Sequence, residues 1–287
     1  MPDPCLVRLV VQCRDRPGIV AAVARLLADS GANITSSAQH STDPEGGWFF
    51  LRLEFDLPGG AVDELRAAFA SGVAEPFDMQ WRLARSDERQ RIALLASREE
   101  HCLLDLLWRR RRGELRAEIA VVIANHPDHR ADVEAFGVPY EHVPVAAGGG
   151  GKAGAEERML QVLAAARIDL VVLARYMQVL SADFLERVGA PVINIHHSFL
   201  PAFAGADPYA RARDRGVKII GATAHYATEV LDAGPIIEQD VARIDHHHTV
   251  TEMTAIGRDI ERIVLGRAVA WHLDDRVLVH EGRTVVF

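Results

Sequence analysis

Asn194 and His196 stand two residues apart in Asn194-Ile195-His196-His197-Ser198-Phe199-Leu200-Pro201, which begins at the C-terminal end of the apolar run Val192 to Ile195. On an extended chain residues at this spacing project to the same side. A carboxamide N–H can donate to a carbonyl oxygen that is gaining negative charge. An imidazole can exchange a proton near neutral pH. What the pair lacks is a group to orient the imidazole and position water. Asp232, in Leu231-Asp232-Ala233-Gly234-Pro235, is the best-placed carboxylate, in a loop just before the strand expected over Ile236 to Val241. Taken alone, Asn-x-His at a strand end also describes a satisfied surface histidine, and Leu-Asp-x-Gly-Pro describes a turn. Their occurrence together with Gly221-Ala222-Thr223-Ala224-His225 is far more specific.

These residues need a scaffold, and hydrophobic periodicity supplies one. Leu6 to Cys13 reads as a strand, broken by the turn Asp15-Arg16-Pro17-Gly18. Ile19 to Ser30 has helical spacing and ends at Gly31. Strands over Ile34 to His40 and Trp48 to Leu57, a helix over Ala61 to Phe69 and a closing strand over Phe77 to Leu83 complete a βαββαβ, ferredoxin-like order. The charged stretch Ala84 to Arg91 places a boundary, giving a first domain over 1–86 and a second over 87–287. In the second, short apolar runs at Ile92 to Ala96, Ile119 to Ala124, Val138 to Val143, Leu170 to Leu173 and Val192 to Ile195 are mostly separated by helical stretches. That pattern predicts an α/β, Rossmann-like domain with a mostly parallel sheet. In such sheets ligands bind at the C-terminal ends of the strands, where Asn194 and His196 fall. The Gly- and Ala-rich stretch Ala146 to Gly154 predicts a mobile surface loop. Thr249 to Leu273 predicts one long helix, followed by a hairpin of Val277 to Val279 and Thr284 to Phe287.

Composition narrows the function. The chain has 287 residues, 49% hydrophobic and 25% charged, which excludes disorder, a collagen-like chain and a coiled coil. No apolar run reaches about 18 residues, and the N-terminus lacks the basic and apolar regions of a signal peptide. The 3 cysteines form no disulfide framework, so a reducing cytoplasm is expected. The net charge of −8 disfavours general nucleic-acid binding. The run Arg109 to Arg112 reads as a solvated helix end. Asp245-His246-His247-His248 reads as a polar loop or helix N-terminus, because adjacent side chains rarely converge on one ion. No metal and no cofactor are expected.

Asn-Ile-His-His-Ser-Phe-Leu-Pro at 194–201, Ile-Ile-Gly-Ala-Thr-Ala-His-Tyr at 219–226 and Leu-Asp-x-Gly-Pro-Ile-Ile at 231–237 resemble the formyltransferase family that uses 10-formyltetrahydrofolate. Arg14-Asp15-Arg16-Pro17-Gly18-Ile19-Val20 resembles an ACT domain, a module that often binds small amino acids. The two together, over nearly the whole chain, resemble the formyltetrahydrofolate deformylase family; the doubled His196-His197 and the stretch Gly216 to Tyr226 favour it over its relatives. The resemblance implies a catalytic set of Asn194, His196 and Asp232. It implies a folate pocket at Arg175 to Leu180, with Met177, Val179 and Leu180, and at the loop around Asp232, with Gly234; His225 is a substrate contact or a support behind the site. It further implies a small amino-acid effector near Asp15, Gly18 and Asn33, a homo-oligomer (dimer or tetramer), and formate released for purine synthesis. A basic or amide residue is expected where Asp207 stands, a departure bearing on folate affinity.

Relatives that formylate a phosphorylated amine share a Gly-rich turn after the first sheet strand, where backbone N–H groups can reach a phosphate. Here no glycine lies between Ile92 and Arg112, and Glu99 and Glu100 would repel an anion. Water is therefore the expected acceptor. In that mechanism Asn194 donates to the formyl oxygen and a protonated His196 assists the oxyanion or N10. Asp232 holds His196 and takes a proton from water, while His197 is a structural partner of the strand end. Two alternatives stay open: transfer of the formyl group to an amine, and a folate or amino-acid sensor without catalysis.

Overall fold

The computed structural model describes residues 5–43, 45–58, 61–145, 149–201 and 208–287. Contacts divide the chain into two compact units, one of Met1–Arg89 with Asp274–His280 and Val285–Phe287, the other of Gln90–Leu273 with Glu281–Thr284.

The first unit runs β1 (Cys5–Arg14), α1 (Ile19–Asp29), β2 (Asn33–Ser41), β3 (Trp48–Leu57), α2 (Val62–Phe69) and β4 (Gln80–Arg85). Its antiparallel sheet has the order β2-β3-β1-β4. Alternate residues Val7, Leu9, Val11 and Cys13 of β1 are buried in one core with Ile19, Val23 and Leu27 of α1, a spacing of four along the helix. The closing strand starts at Gln80 rather than Phe77. A π-helical turn over Ala70–Ala74 prolongs α2, and Asp78 at φ 50 interrupts the extended run. The chain's last segment completes this unit. Arg52 Nε donates to the carbonyls of Asp274 at 3.2 Å and Asp275 at 3.1 Å, and Arg8 pairs with both carboxylates at 3.3 Å.

The second unit contains β5 (Gln90–Ala96), α3 (His101–Arg111), β6 (Ala117–Ala124), α4 (Arg130–Ala135), β7 (Tyr140–His142), α5 (Gly149–Ala166), β8 (Leu170–Ala174), α6 (Ala182–Arg187), β9 (Val192–His196), α7 (Pro208–Asp214), β10 (Ile219–Tyr226), β11 (Ile236–Arg243) and α8 (Val250–Leu273). Its seven-stranded sheet has the order β11-β10-β9-β8-β5-β6-β7. The pairs from β9 to β7 are parallel, while β10 and β11 add antiparallel strands. β12 (Val277–His280) and β13 (Arg283–Val286) form the expected hairpin.

The expected loop at Ala146 to Gly154 needs correction. α5 begins at Gly149, and 146–148 lie outside the described residues. Ala155, Met159 and Leu163, four apart, are buried against the sheet. That burial outweighs the cost of about 1 kcal/mol for each helical glycine. The run at 245–248 is a polar turn before α8: Asp245 Oδ1 accepts from His247 N at 2.9 Å, and the helix itself is capped by Thr249, which forms a capping box with Glu252.

Candidate active site

β9 ends among the site residues, and its neighbours dictate how they meet. β10 runs antiparallel to it, with His225 opposite Asn194 and Thr223 opposite His196. The His225 Nδ1–H donates to the Tyr226 carbonyl at 3.0 Å. This leaves the lone pair on Nε2, which accepts from the Asn194 carboxamide at 3.2 Å. His225 is 2% exposed, so it steers Asn194 from behind. Below His196 the chain is pinned by Thr223. Its Oγ1 donates to the Ser198 carbonyl at 2.9 Å and accepts from Leu200 N at 3.0 Å and Gln239 Nε2 at 2.9 Å.

Asp232 arrives from the β10–β11 loop with φ 57, in the left-handed region. Its Oδ1 lies 3.2 Å from His196 Nδ1 and 3.8 Å from His225 Nε2. The loop is tight for a specific reason. A Cβ on Gly234 would stand 1.7 Å from the Tyr226 carbonyl oxygen, so only glycine fits there. Gly234 therefore shapes the Asp232 loop from a buried position and is not on the cavity wall.

Burial sets the electrostatics. It lowers the His196 pKa below the ordinary histidine value, against an opposing pull from Asp232. Burial lowers His225 as well, and it takes His197 down to about 4, assisted by the Arg175 charge. With Nδ1–H donated to Asp232, neutral His196 keeps a lone pair on Nε2, which is buried and has no hydrogen-bond partner. The dry surroundings favour the neutral ring, and the Asp232 charge favours the protonated one.

The polar groups stand at the foot of a cavity of about 570 Å³. Met177, Val179 and Leu180 line one side, with Leu231 and Asp232 among its other lining residues. Met177, Val179 and Leu231 are each more than half exposed, an unusual cost unless an apolar ligand covers them. The loop after β8 is tied down by Met177 N, which donates to Ser97 Oγ at 2.9 Å. His197 stacks on His196 with centroids 5.1 Å apart.

The structure thus brings together Asn194, His196, Asp232, His225, Met177, Val179 and Leu180. Arg175 and Tyr209 also line the cavity. Tyr209 went unnoticed because a single aromatic after a proline carries no signal, and Arg175, inside the expected pocket segment, drew no role of its own; its φ of 61 was invisible in the sequence. Asp207 lies outside the described residues.

In the first unit a second cavity, about 710 Å³, is lined by Asp15, Gly18 and Ser41 among others. Ser41 Oγ donates to Asp15 Oδ2. Gly18 sits at φ 99 before α1, whose first turn has no side-chain cap. Asn33 does not join them. It pairs with Asp56 at the opposite end of β2, whereas Ser41 pairs with Phe49, a separation of roughly 25 Å along the strand.

Comparison with known proteins agrees with both units. The formyl transferase family matches residues 90–269 and the ACT domain family residues 7–67. A formyltetrahydrofolate deformylase of Mycobacterium bovis is 60% identical over 98% of this chain and 90% of its own length. That of Bacillus subtilis is 53% identical over 98% and 93%. The crystal structure of a formyltetrahydrofolate deformylase from Pseudomonas syringae pv. tomato superimposes with a TM-score of 0.94, at 49% identity over 99% of this chain and 94% of that one. Identity of this order, running through both units, makes the chain a member of the formyltetrahydrofolate deformylase family.

Proposed function

We propose that the chain hydrolyses 10-formyltetrahydrofolate to formate and tetrahydrofolate. The carrying observation is the convergence of Asn194, His196, Asp232 and His225 within 3.2 to 3.8 Å links at the foot of an apolar-walled cavity. The cavity's exposed apolar residues suit an aromatic heterocycle, and the polar foot receives the formyl group.

In this reading one Asn194 N–H is held by His225 and the other donates to the formyl oxygen. A donor aimed at a developing oxyanion is worth roughly 3 kcal/mol. Water attacks the formyl carbon and gives its proton to the His196 Nε2 lone pair. Asp232 stabilises the imidazolium through Nδ1. The same Nε2–H then protonates N10 as the C–N bond breaks, leaving tetrahydrofolate and formic acid, which gives its remaining proton to solvent as formate. Proton transfer by a positioned group contributes about 10²- to 10⁴-fold. Asp232 as the direct acceptor of the water proton is the less direct route, because its Oδ1 already faces His196.

The test is a formate assay on purified protein with 10-formyltetrahydrofolate and no amine. Formate and tetrahydrofolate in equal amounts support hydrolysis; release only after an amine is added would instead assign a transferase.

For the first unit we propose a small amino-acid effector. Its carboxylate would meet the uncapped N–H groups of α1 beyond Gly18, and its ammonium would meet Asp15. A thermal-shift screen with glycine and methionine tests this; the absence of a shift with any small amino acid favours a purely structural unit.

A further inference from the structure

The loop that walls the catalytic cavity stands open where its own side chains would gain by closing. After β8 ends at Ala174, residues 175–180 run irregularly to α6. Among the described residues, Tyr176 to Leu180 make no backbone–backbone hydrogen bond to the rest of the chain. Met177 and Val179 are each 55% exposed, and both line the cavity together with Leu180 and, one turn into α6, Leu185. Apolar side chains around an aqueous cavity are driven to collapse onto one another. Something must hold them apart before a ligand arrives.

Polar ties hold both ends of the loop. Near its start, Ser97 Oγ accepts from Met177 N, and Ser97 is itself buried directly after β5. Beside this tie Tyr176 is buried, its hydroxyl donating to Met159 Sδ at 3.6 Å. At the far end stands Glu156 of α5, a carboxylate only 8% exposed. Its Oε1 accepts from Ser181 N at 2.9 Å and its Oε2 from Ser181 Oγ at 2.6 Å. Ser181 Oγ in turn accepts from Phe184 N at 3.1 Å and so caps α6. Lys152, one turn earlier in α5, is 3.9 Å from Glu156 Oε1. Burying a carboxylate beside so distant a cation gains little stability. Two charge-assisted hydrogen bonds to a single residue do fix its position, because such bonds are short and directional. Capping alone does not call for them, since a serine caps a helix through its own oxygen.

We propose that Glu156 is a positioning residue for substrate binding: by clasping Ser181 it holds the loop 175–180 and the first turn of α6 in the open arrangement that receives an apolar heterocycle. This rests on the folate reading above and deepens it. Glu156 lies outside the cavity lining and touches no reacting group. A wall set in advance spares the substrate the work of opening and ordering the loop. Loss of the clasp therefore shows in KM, with kcat nearly spared, the reverse of a residue that acts on the oxyanion.

The experiment measures kcat, KM and the Kd for tetrahydrofolate in wild type, Glu156→Ala, Glu156→Gln, Ser181→Asp and the double variant Glu156→Gln/Ser181→Asp, with hydrogen exchange of the 175–181 amides alongside. Glu156→Ala should raise KM and Kd at least about tenfold, leave kcat within about twofold, and speed exchange in 175–181. Glu156→Gln keeps an acceptor for Ser181 N and should fall between this and wild type. Ser181→Asp keeps a helix cap but sets two carboxylates together, so KM should rise as far as in Glu156→Ala. The double variant faces an amide donor with a carboxylate acceptor and should recover most of that loss, a rescue that a residue serving only the cap or the packing would not show. The glutamine and double variants carry the test where the alanine variant does not fold. Folded variants with wild-type KM and Kd would overturn the proposal, as would a loss confined to kcat or a double variant no better than Ser181→Asp. Wild type that binds tetrahydrofolate but releases no formate would refute hydrolysis, while Kd and exchange still decide the clasp. Wild type that binds no tetrahydrofolate would overturn both.

Discussion

The two cavities are built from opposite materials. That of the catalytic unit has apolar walls, and its polar groups are buried at the end of a central strand, each held by a neighbour: His225 by the Tyr226 carbonyl, Asn194 by His225, His196 by Asp232. That of the first unit lies beside a turn and the end of β2, a strand whose side chains are almost all exposed. Its polar contacts are few, chiefly Ser41 on Asp15. A reaction needs groups whose orientation and ionisation are fixed before substrate arrives. A reversible effector needs only a solvated notch. Changes in the cavity of the first unit should therefore alter regulation, and changes in that of the catalytic unit should alter chemistry.

The sharpest break in this contrast comes from Asp232→Asn. It should keep the fold and lose about 10³-fold in kcat, read by formate release; near-normal turnover would remove Asp232 from the mechanism. Asn194→Ala should cost about 10²-fold, with KM little changed because the donor acts on the developing oxyanion. Were both kcat and KM untouched, the carboxamide would have no catalytic part.

The pH profile comes next in size. Because burial lowers His196, activity should hold down to and below about pH 6.5 before its acid limb begins. Asp232 pulls the His196 pKa up, so the residual activity of the asparagine variant should show that limb at still lower pH. Stability follows the same sign. Folded His197 has a pKa of about 4, so below the ordinary 6.5 the unfolded chain binds more protons. Stability is full above that value and falls as pH drops toward 4, which should lower the Tm by a few degrees between pH 7 and pH 5. An unchanged Tm would contradict a dry His197.

Smallest is the effect expected from Ser41→Ala in the first cavity. Basal hydrolysis should stay within about twofold, while any amino-acid response weakens. A large loss of basal turnover would erase the distinction between the two regions.

Much of this was legible in the amino-acid order. Alternation in Leu6 to Cys13 and unbroken apolar runs such as Leu170 to Leu173 carry the sheets, because burial on one or both faces writes itself into the pattern. Asn194, His196 and Asp232 could be picked out because Asn-x-His, Gly-Ala-Thr-Ala-His and Leu-Asp-x-Gly-Pro occur together and resemble a family's set, since each motif alone also describes a surface histidine or a turn. The departures have physical causes. α5 hides behind glycines because packing of Ala155, Met159 and Leu163 outweighs local propensity. Gly234 looked like a substrate contact, but a backbone approach to Tyr226 reserves it. Asn33 was grouped with Asp15 by loop position, though strand length separates them. Glu156 sits in a long helix where an acidic residue normally faces water, and only the fold reveals that it points inward.

The most direct test of the account is a turnover in H₂¹⁸O with 10-formyltetrahydrofolate as the sole reactant. The account predicts formate with one solvent-derived oxygen in the wild type and almost none formed by the Asp232→Asn variant. Unlabelled formate, or labelled formate at equal rates from both proteins, would contradict it.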